Sequence, residues 1–288
     1  MIDINKRITV IESLLAEGSI QSLTYAALEC RLTIETICYE RLMIAHKYIA
    51  ASDLRKWKPA AVVKQVSEEA NELIDKSFEL FVSTTPSLEG AEPKTQEEYE
   101  ALEYVKLGQQ VGFKFSRMDT LWNGVASTAL HVSVPKGEGQ LSQYGDAEAI
   151  RKKVLEVLDE LKKFQPNSLI SSGLGMEYSF PCERCSTLIR RKVKLLQDNQ
   201  VVGCFNPNCY ESYTIHVEGA EITYSAREST VKCKTCSTEV PIPTRRAEKL
   251  RFGETLTVPC PSCKDTTNVS LKIMQEVRVT PPPVEPGA

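Results

Sequence analysis

Cys182-Glu183-Arg184-Cys185, Cys204-Phe205-Asn206-Pro207-Asn208-Cys209, Cys233-Lys234-Thr235-Cys236 and Cys260-Pro261-Ser262-Cys263 decide how the C-terminal half of this chain is built. Two thiolates separated by two or four residues reach one ion from a single tight turn. A β-hairpin between two such turns is expected to bring the second pair beside the first. Consecutive pairing gives two four-sulfur sets: Cys182, Cys185, Cys204 and Cys209, and Cys233, Cys236, Cys260 and Cys263. Pairing across the sets is the alternative, but consecutive pairing already completes both sites. Four thiolates suit zinc and leave it no open coordination position. Two structural Zn2+ ions are therefore expected, each holding together a module too small to have a core of its own. A rubredoxin-like iron site is the other metal for such a set, but nothing redox-related accompanies the pairs.

The residues between the pairs read as β structure. Leu188 to Leu195 and Val201 to Gly203 flank Asp198-Asn199-Gln200 as strand, turn and strand, and Tyr213 to Val217 supplies a third strand. Further on, Val231, Leu256 to Val258, and Val269 to Met274 read as strands, with a short helix between Arg245 and Leu250 and a turn at Gly253. His216 lies beside a filled ligand set and is expected to be an exposed strand residue.

Before the first pair the apolar periodicity is mainly helical. A short helix runs to Ala16 and stops at Gly18-Ser19. The next helix carries Ala27, Cys30, Ile34, Ile37, Cys38, Leu42, Ala45 and Tyr48 at steps of three and four, a single buried stripe in which the two cysteines act as small hydrophobes. Pro59 opens another helix that continues to Ile74. Phe78 to Thr85 and Tyr99 to Val111 are strand candidates around a polar excursion from Pro86 to Glu98. Ser116 with Asp119 has capping-box spacing and predicts a helix to Val132, stopped by Pro135-Lys136-Gly137. Asp146 caps a last helix with Ile150, Val154, Val157, Leu158 and Leu161 on one side.

The reading is thus an α+β multidomain chain. Residues 1–165 form a helical domain, 166–176 a linker, 177–219 a first zinc ribbon, 220–279 a second, and 280–288 a disordered proline-rich tail. The 288 residues are 42% hydrophobic and 25% charged, which suits globular domains. The N-terminal stretch has no signal-peptide apolar region, and no run of 18 apolar residues predicts a membrane helix. Eight of ten cysteines in close pairs favour metal in a reducing compartment, so a cytoplasmic protein is expected.

The net charge of −3 provides no global field for polyanions. Local charge differs: residues 176–275 hold 14 Lys and Arg against 11 Asp and Glu. Arg190, Arg191, Lys192 and Lys194 cluster on the first ribbon, and Arg245, Arg246, Lys249 and Arg251 on the connector of the second. Arg190, Arg191, Lys192, Lys194, Arg245 and Arg246 are the candidate phosphate contacts, with Phe205, Tyr210 and Tyr213 near enough in sequence to stack on bases. The blander reading is that these cations offset the negative charge of tetrathiolate sites.

Ala26-Ala27-Leu28-Glu29-Cys30-Arg31-Leu32-Thr33-Ile34-Glu35 and Leu121-Trp122-Asn123-Gly124-Val125-Ala126-Ser127-Thr128-Ala129-Leu130-His131 resemble the first long helix and the histidine-ending penultimate helix of HEPN-like domains. The resemblance covers residues 20 to 164 and points to bacterial families in which a HEPN-like domain is fused to tandem zinc ribbons. It implies a helical dimer and, for the ribonucleases of that family, an Arg and a His with four to six residues between them, acting across the dimer interface, often in toxin or antiphage systems. This chain departs from that pattern. With His131 as the histidine, Asn123 or Ser127 stands where the arginine would be, and neither carries a guanidinium. The literal spacing Arg41 to His46 lies in the wrong helix, with the two side chains about 140° apart.

No catalytic residue is therefore assigned. The expected function is a zinc-ribbon binding or adaptor protein, a homodimer without a membrane anchor, that docks nucleic acid or a protein partner, in antiphage defence or a toxin-type system. A metal-independent HEPN-type ribonuclease and a scaffold subunit of a larger assembly are the alternatives.

Overall fold

The computed structural model describes residues 2–49, 53–85, 93–132, 145–170 and 174–272. The proline-rich tail and the helix stop at Pro135-Lys136-Gly137 lie outside the described residues. The chain divides into two compact units, Met1–Leu196 with Phe205–Pro207, and Gln197–Cys204 with Asn208–Ala288.

The first unit is built on two capped helices. Asp3 accepts the Lys6 N–H at 3.0 Å and starts α1 (Ile4–Glu17); Gly18 ends it at φ +74°, where a side chain would be strained. Ser19 then accepts the Ser22 N–H and starts α2 (Ile20–Ala45). At 1.5 Å per residue α2 is about 39 Å long. It packs against α1 and against three later helices, α3 (Pro59–Glu69), α5 (Phe115–Ala129) and α6 (Ala147–Lys162). All eight positions read as its buried stripe and its continuation at Tyr48 are buried.

Within that core Arg41 is 1% exposed. Its guanidinium donates to the carbonyls of Ile74 at 2.8 Å, Val111 at 2.7 Å and Ile37 at 3.3 Å, and lies over the Phe113 ring at 4.6 Å. Burial pulls its pKa down to about 10, so it stays cationic at neutral pH. Gln110, also buried, donates to the carbonyls of Leu73 and Lys76. Together these two side chains satisfy the carbonyls of the non-helical segment after α3. That segment is crossed closely: a Cβ on Gly112 would lie 2.3 Å from the Asp75 carbonyl oxygen.

The two strand candidates form the hairpin β1 (Phe78–Ser83) and β2 (Tyr104–Gln110). Between them α4 (Gln96–Glu100) opens with a capping box of Thr95 and Glu98. The box expected at Ser116 is not made. Lys114 takes the cap position of α5 without a side-chain bond, and the Ser116 carbonyl accepts the Thr120 hydroxyl. The start of the expected linker runs along β2: Ser168 and Leu169 donate to the Gln109 carbonyl, and Asn167 accepts the Val111 N–H.

The hairpin of β3 (Glu177–Pro181) and β4 (Leu188–Lys192) is joined to the helices through Glu177. This carboxylate accepts the Tyr48 hydroxyl and, at 2.9 Å, the buried Lys192 ammonium; Lys47 lies 3.5 Å away. Desolvation opposes its charge, but the bonds from Tyr48 and Lys192 win and hold its pKa down to about 2.

The second unit contains a sheet of β5 (Val201–Gly203), β6 (Ser212–Glu218) and β7 (Glu221–Ala226), then hairpins of β8 (Glu228–Lys232) with β9 (Glu239–Pro243) and of β10 (Thr255–Pro259) with β11 (Thr266–Ser270). A short α7 (Thr244–Glu248) joins the two hairpins. β4 pairs with β3 and β5 with β6, so the expected strand, turn and strand across Asp198-Asn199-Gln200 is not one hairpin. The reason lies in the cysteine turns. Each sits inside a hairpin and closes it, as Pro181 with Leu188, Gly203 with Ser212, Lys232 with Glu239, and Pro259 with Thr266.

A folded pKa below the ordinary carboxylate value contributes stability that is complete above about pH 4.5 and is lost as pH falls toward 2. Glu177→Gln should therefore lower stability to urea by a constant amount between pH 8 and 5, and the gap to wild type should narrow below pH 4.5. A gap that stays level to pH 3 would show that the carboxylate contributes no charge-dependent stability.

Candidate metal centres

Three of the four cysteine turns share one backbone design. The first cysteine of each donates its N–H to the carbonyl five residues on: Cys182 to Thr187 at 2.9 Å, Cys233 to Thr238 at 2.9 Å, Cys260 to Asp265 at 2.7 Å. Its carbonyl accepts from the residue four on, Ser186, Ser237 or Lys264. Those three acceptor-closing residues take φ of 57°, 61° and 65°, a left-handed conformation that non-glycine residues rarely adopt. The result places both sulfurs of each pair on one side of a closed loop. The longer Cys204 turn is closed by the bond from the Cys204 N–H to the Glu211 carbonyl, at 2.9 Å.

These turns gather the cysteines into two quartets, Cys182, Cys185, Cys204 and Cys209, and Cys233, Cys236, Cys260 and Cys263. In each the four Sγ atoms lie within 4.8 Å of one another. In the second quartet Cys233 is 3.7 Å from Cys263 and Cys236 is 3.6 Å from Cys260. A tetrahedron with zinc–sulfur bonds of about 2.3 Å has edges of about 3.8 Å, so the sulfur spacing fits a tetrathiolate ion. No protein-family model, curated protein or solved structure matches this chain. The quartets therefore speak for themselves.

Electrostatics also favour a cation here. The Thr238 hydroxyl and backbone N–H hold the Cys236 thiol down to about 6. The Asp265 N–H favours the Cys263 thiolate, yet the hydrogen bond with Cys236, desolvation and the hydrogen bonds with Cys233 and Cys260 outweigh it and push that thiol up to about 12. Four thiolates this close cannot coexist without a positive ion to bridge them. Around the second quartet a small cluster of Val240, Ile242, Leu256 and Val258 packs on Cys233 and Cys260. It is too small to hold the hairpins together alone.

The sequence reading missed two side chains. Thr238 lies 3.2 Å from the Cys236 sulfur, and Thr187 stands in the same relation to Cys185, at 3.3 Å. The signal was present as the repeated Cys-Ser-Thr after the first pair of each quartet. Gly203 and Arg245 form a third such feature. The Arg245 guanidinium donates to the Cys204 carbonyl at 2.9 Å, and a Cβ on Gly203 would lie 2.6 Å from it.

The candidate phosphate contacts separate on inspection. Lys192 is buried on Glu177 and the Gly175 carbonyl; Arg191 is buried and bonds the Arg190 carbonyl. Arg190 is half-exposed at 3.7 Å from Glu177, while Lys194, 78% exposed, reaches Glu72 at 3.4 Å. Arg245 is directed inward as above. Arg246 lies over the ring of Tyr210, 5.7 Å from its centroid. Of the expected stacking residues, Tyr213 is fully buried and packs edge-on to Tyr224, whereas Tyr210 is 38% exposed. His216 bonds Ser225 on β7 and stands outside the quartets.

Arg41 and His46 are not a pair, since one is sealed in the core and the other is exposed. Asn123 donates to the Asp119 carbonyl and Ser127 to that of Gly124; spaced by four, they lie along one ridge of α5, where Ser127 and, just past the helix end, His131 face solvent. Arg117 is engaged by Glu156 and Glu160. Cys30 and Cys38 are buried, and burial pushes each thiol up to about 12. They are inert at neutral pH.

Removing the Thr238 hydroxyl without changing the side chain's shape tests its role at the metal. Thr238→Val should weaken the hold on one of two bound ions about tenfold in competition with a chromophoric chelator, leaving the other unchanged. Identical release curves would show that the hydroxyl does not act on the metal.

Proposed function

We propose that this chain is a binding protein whose two quartets carry structural zinc and whose ribbons dock nucleic acid. The carrying observation is that each ion would be closed by four sulfurs, so the metal organises a surface and takes no substrate. The exposed Lys194 and the half-buried Arg190 and Arg246 support a polyanionic partner. The helical half is proposed to be HEPN-like on its sequence resemblance, which also suggests a place in antiphage defence or a toxin-type system.

Metal-loaded protein should bind fluorescent RNA or DNA with an affinity that falls linearly with the logarithm of salt concentration, and should lose binding when chelator removes the ions. A loaded protein that binds no nucleic acid at low salt would shift the reading to docking of a protein partner.

A homodimer is part of this proposal, supported by the exposed side of α2. Tyr25, Leu28, Leu32, Thr36, Tyr39 and Met43 fall on one stripe, and Tyr25 and Met43 are 61% and 67% exposed. A two-fold interface can pair such a stripe with its own copy, each residue i meeting j as j meets i. Light scattering should give twice the 32.2 kDa chain mass for wild type and one chain mass for Leu32→Glu with Met43→Glu. A monomeric wild type would remove the dimer from the proposal.

A further inference from the structure

The connector after β9 borders an open, shallow cleft in the second unit. Tyr210, Arg246, Lys249, Leu250, Glu254 and Leu256 line a cleft of about 360 Å³, within the roughly 300–1,000 Å³ of small-ligand sites. Its walls differ chemically. Leu250 and Leu256 make an apolar floor, Tyr210 offers an aromatic face, and the Arg246 guanidinium lies over that ring. Glu254 lends one oxygen to the Arg251 N–H at 2.9 Å and so closes the adjoining turn. At that turn Gly253 has φ +86° and Phe252 is held 72% exposed beside the cleft-lining residues.

Arg245 and Arg246 have opposite tasks. The first is used internally at Cys204; the second is placed on an accessible ring. An aromatic face beside a delocalised cation, above an apolar floor, matches a flat base with a phosphate next to it. An acidic peptide would use the cations but would leave the ring face and floor unmatched. A duplex would not fit either, because its base faces are already covered by stacking.

We propose that this cleft seats one unpaired nucleotide of a single-stranded nucleic acid, its base on Tyr210 and its phosphate on Arg246. The inference rests on the nucleic-acid reading above and adds the seat and the strandedness.

Fluorescence anisotropy on the metal-loaded full chain decides it, using a 12-nucleotide single strand of mixed sequence, as RNA and as DNA, and the matching duplexes. Wild type should bind the single strands more tightly than the duplexes. Tyr210→Ala and Arg246→Gln should each lose about tenfold or more in affinity for the single strands while retaining two metal equivalents. Tyr210→Phe, which keeps the ring face, should recover most of the loss. Single-strand binding that is unchanged in Tyr210→Ala and Arg246→Gln would overturn this seat while leaving nucleic-acid docking elsewhere on the ribbons intact. Preference for duplex would also overturn it. No binding by wild type would overturn both the seat and the reading beneath it.

Discussion

Everything in the C-terminal half depends on keeping four sulfurs within bonding reach of one point. Without an ion, four thiolates at that spacing would repel one another. With one, each thiolate is drawn to a shared positive charge. The backbone accepts left-handed residues at Ser186, Ser237 and Lys264 to bring this about. Such conformations persist only where the surroundings enforce them. Here the closing hydrogen bonds and the shared sulfur positions do so.

The same constraint explains why the strand pattern was harder to read than the ligands. Cysteine spacing is a local property, so both quartets were legible from it. Strand pairing is not local. Leu188 to Leu195 and Val201 to Gly203 look like the arms of one hairpin because a real turn separates them, at Asp198-Asn199-Gln200. Their partners are instead the segments that enter and leave each cysteine turn. Glu177–Pro181 gave little sign of this, since its burial does not alternate cleanly. In the helical half, periodicity located α1, α2 and α6, and Asp146 capped α6 as read. Ser116 failed as a cap because capping spacing also occurs inside helices, where the side chain has no free N–H to accept.

Charge counting misled in a different way. A cluster of cations in sequence does not say which way each side chain points. Arg191 and Lys192 are neighbours on β4 and both end up covered, and Arg245 and Arg246, adjacent and both half-buried, divide between the Cys204 carbonyl and the Tyr210 ring. Only the pairing partners settle this: Glu177 for Lys192, the Cys204 carbonyl for Arg245, the Tyr210 ring for Arg246. A residue's value as a phosphate ligand depends on whether another group in the same fold has already claimed its charge.

Arg41 carries a consequence for how the helical unit is made. Its cation is enclosed by groups that arrive late in synthesis: the Val111 carbonyl, the Phe113 ring and, at 6.0 Å, the Phe164 ring. A chain that ends after α3 carries this guanidinium near the C-terminal end of its longest helix without those covering groups, and burying it there would cost free energy that no later segment returns.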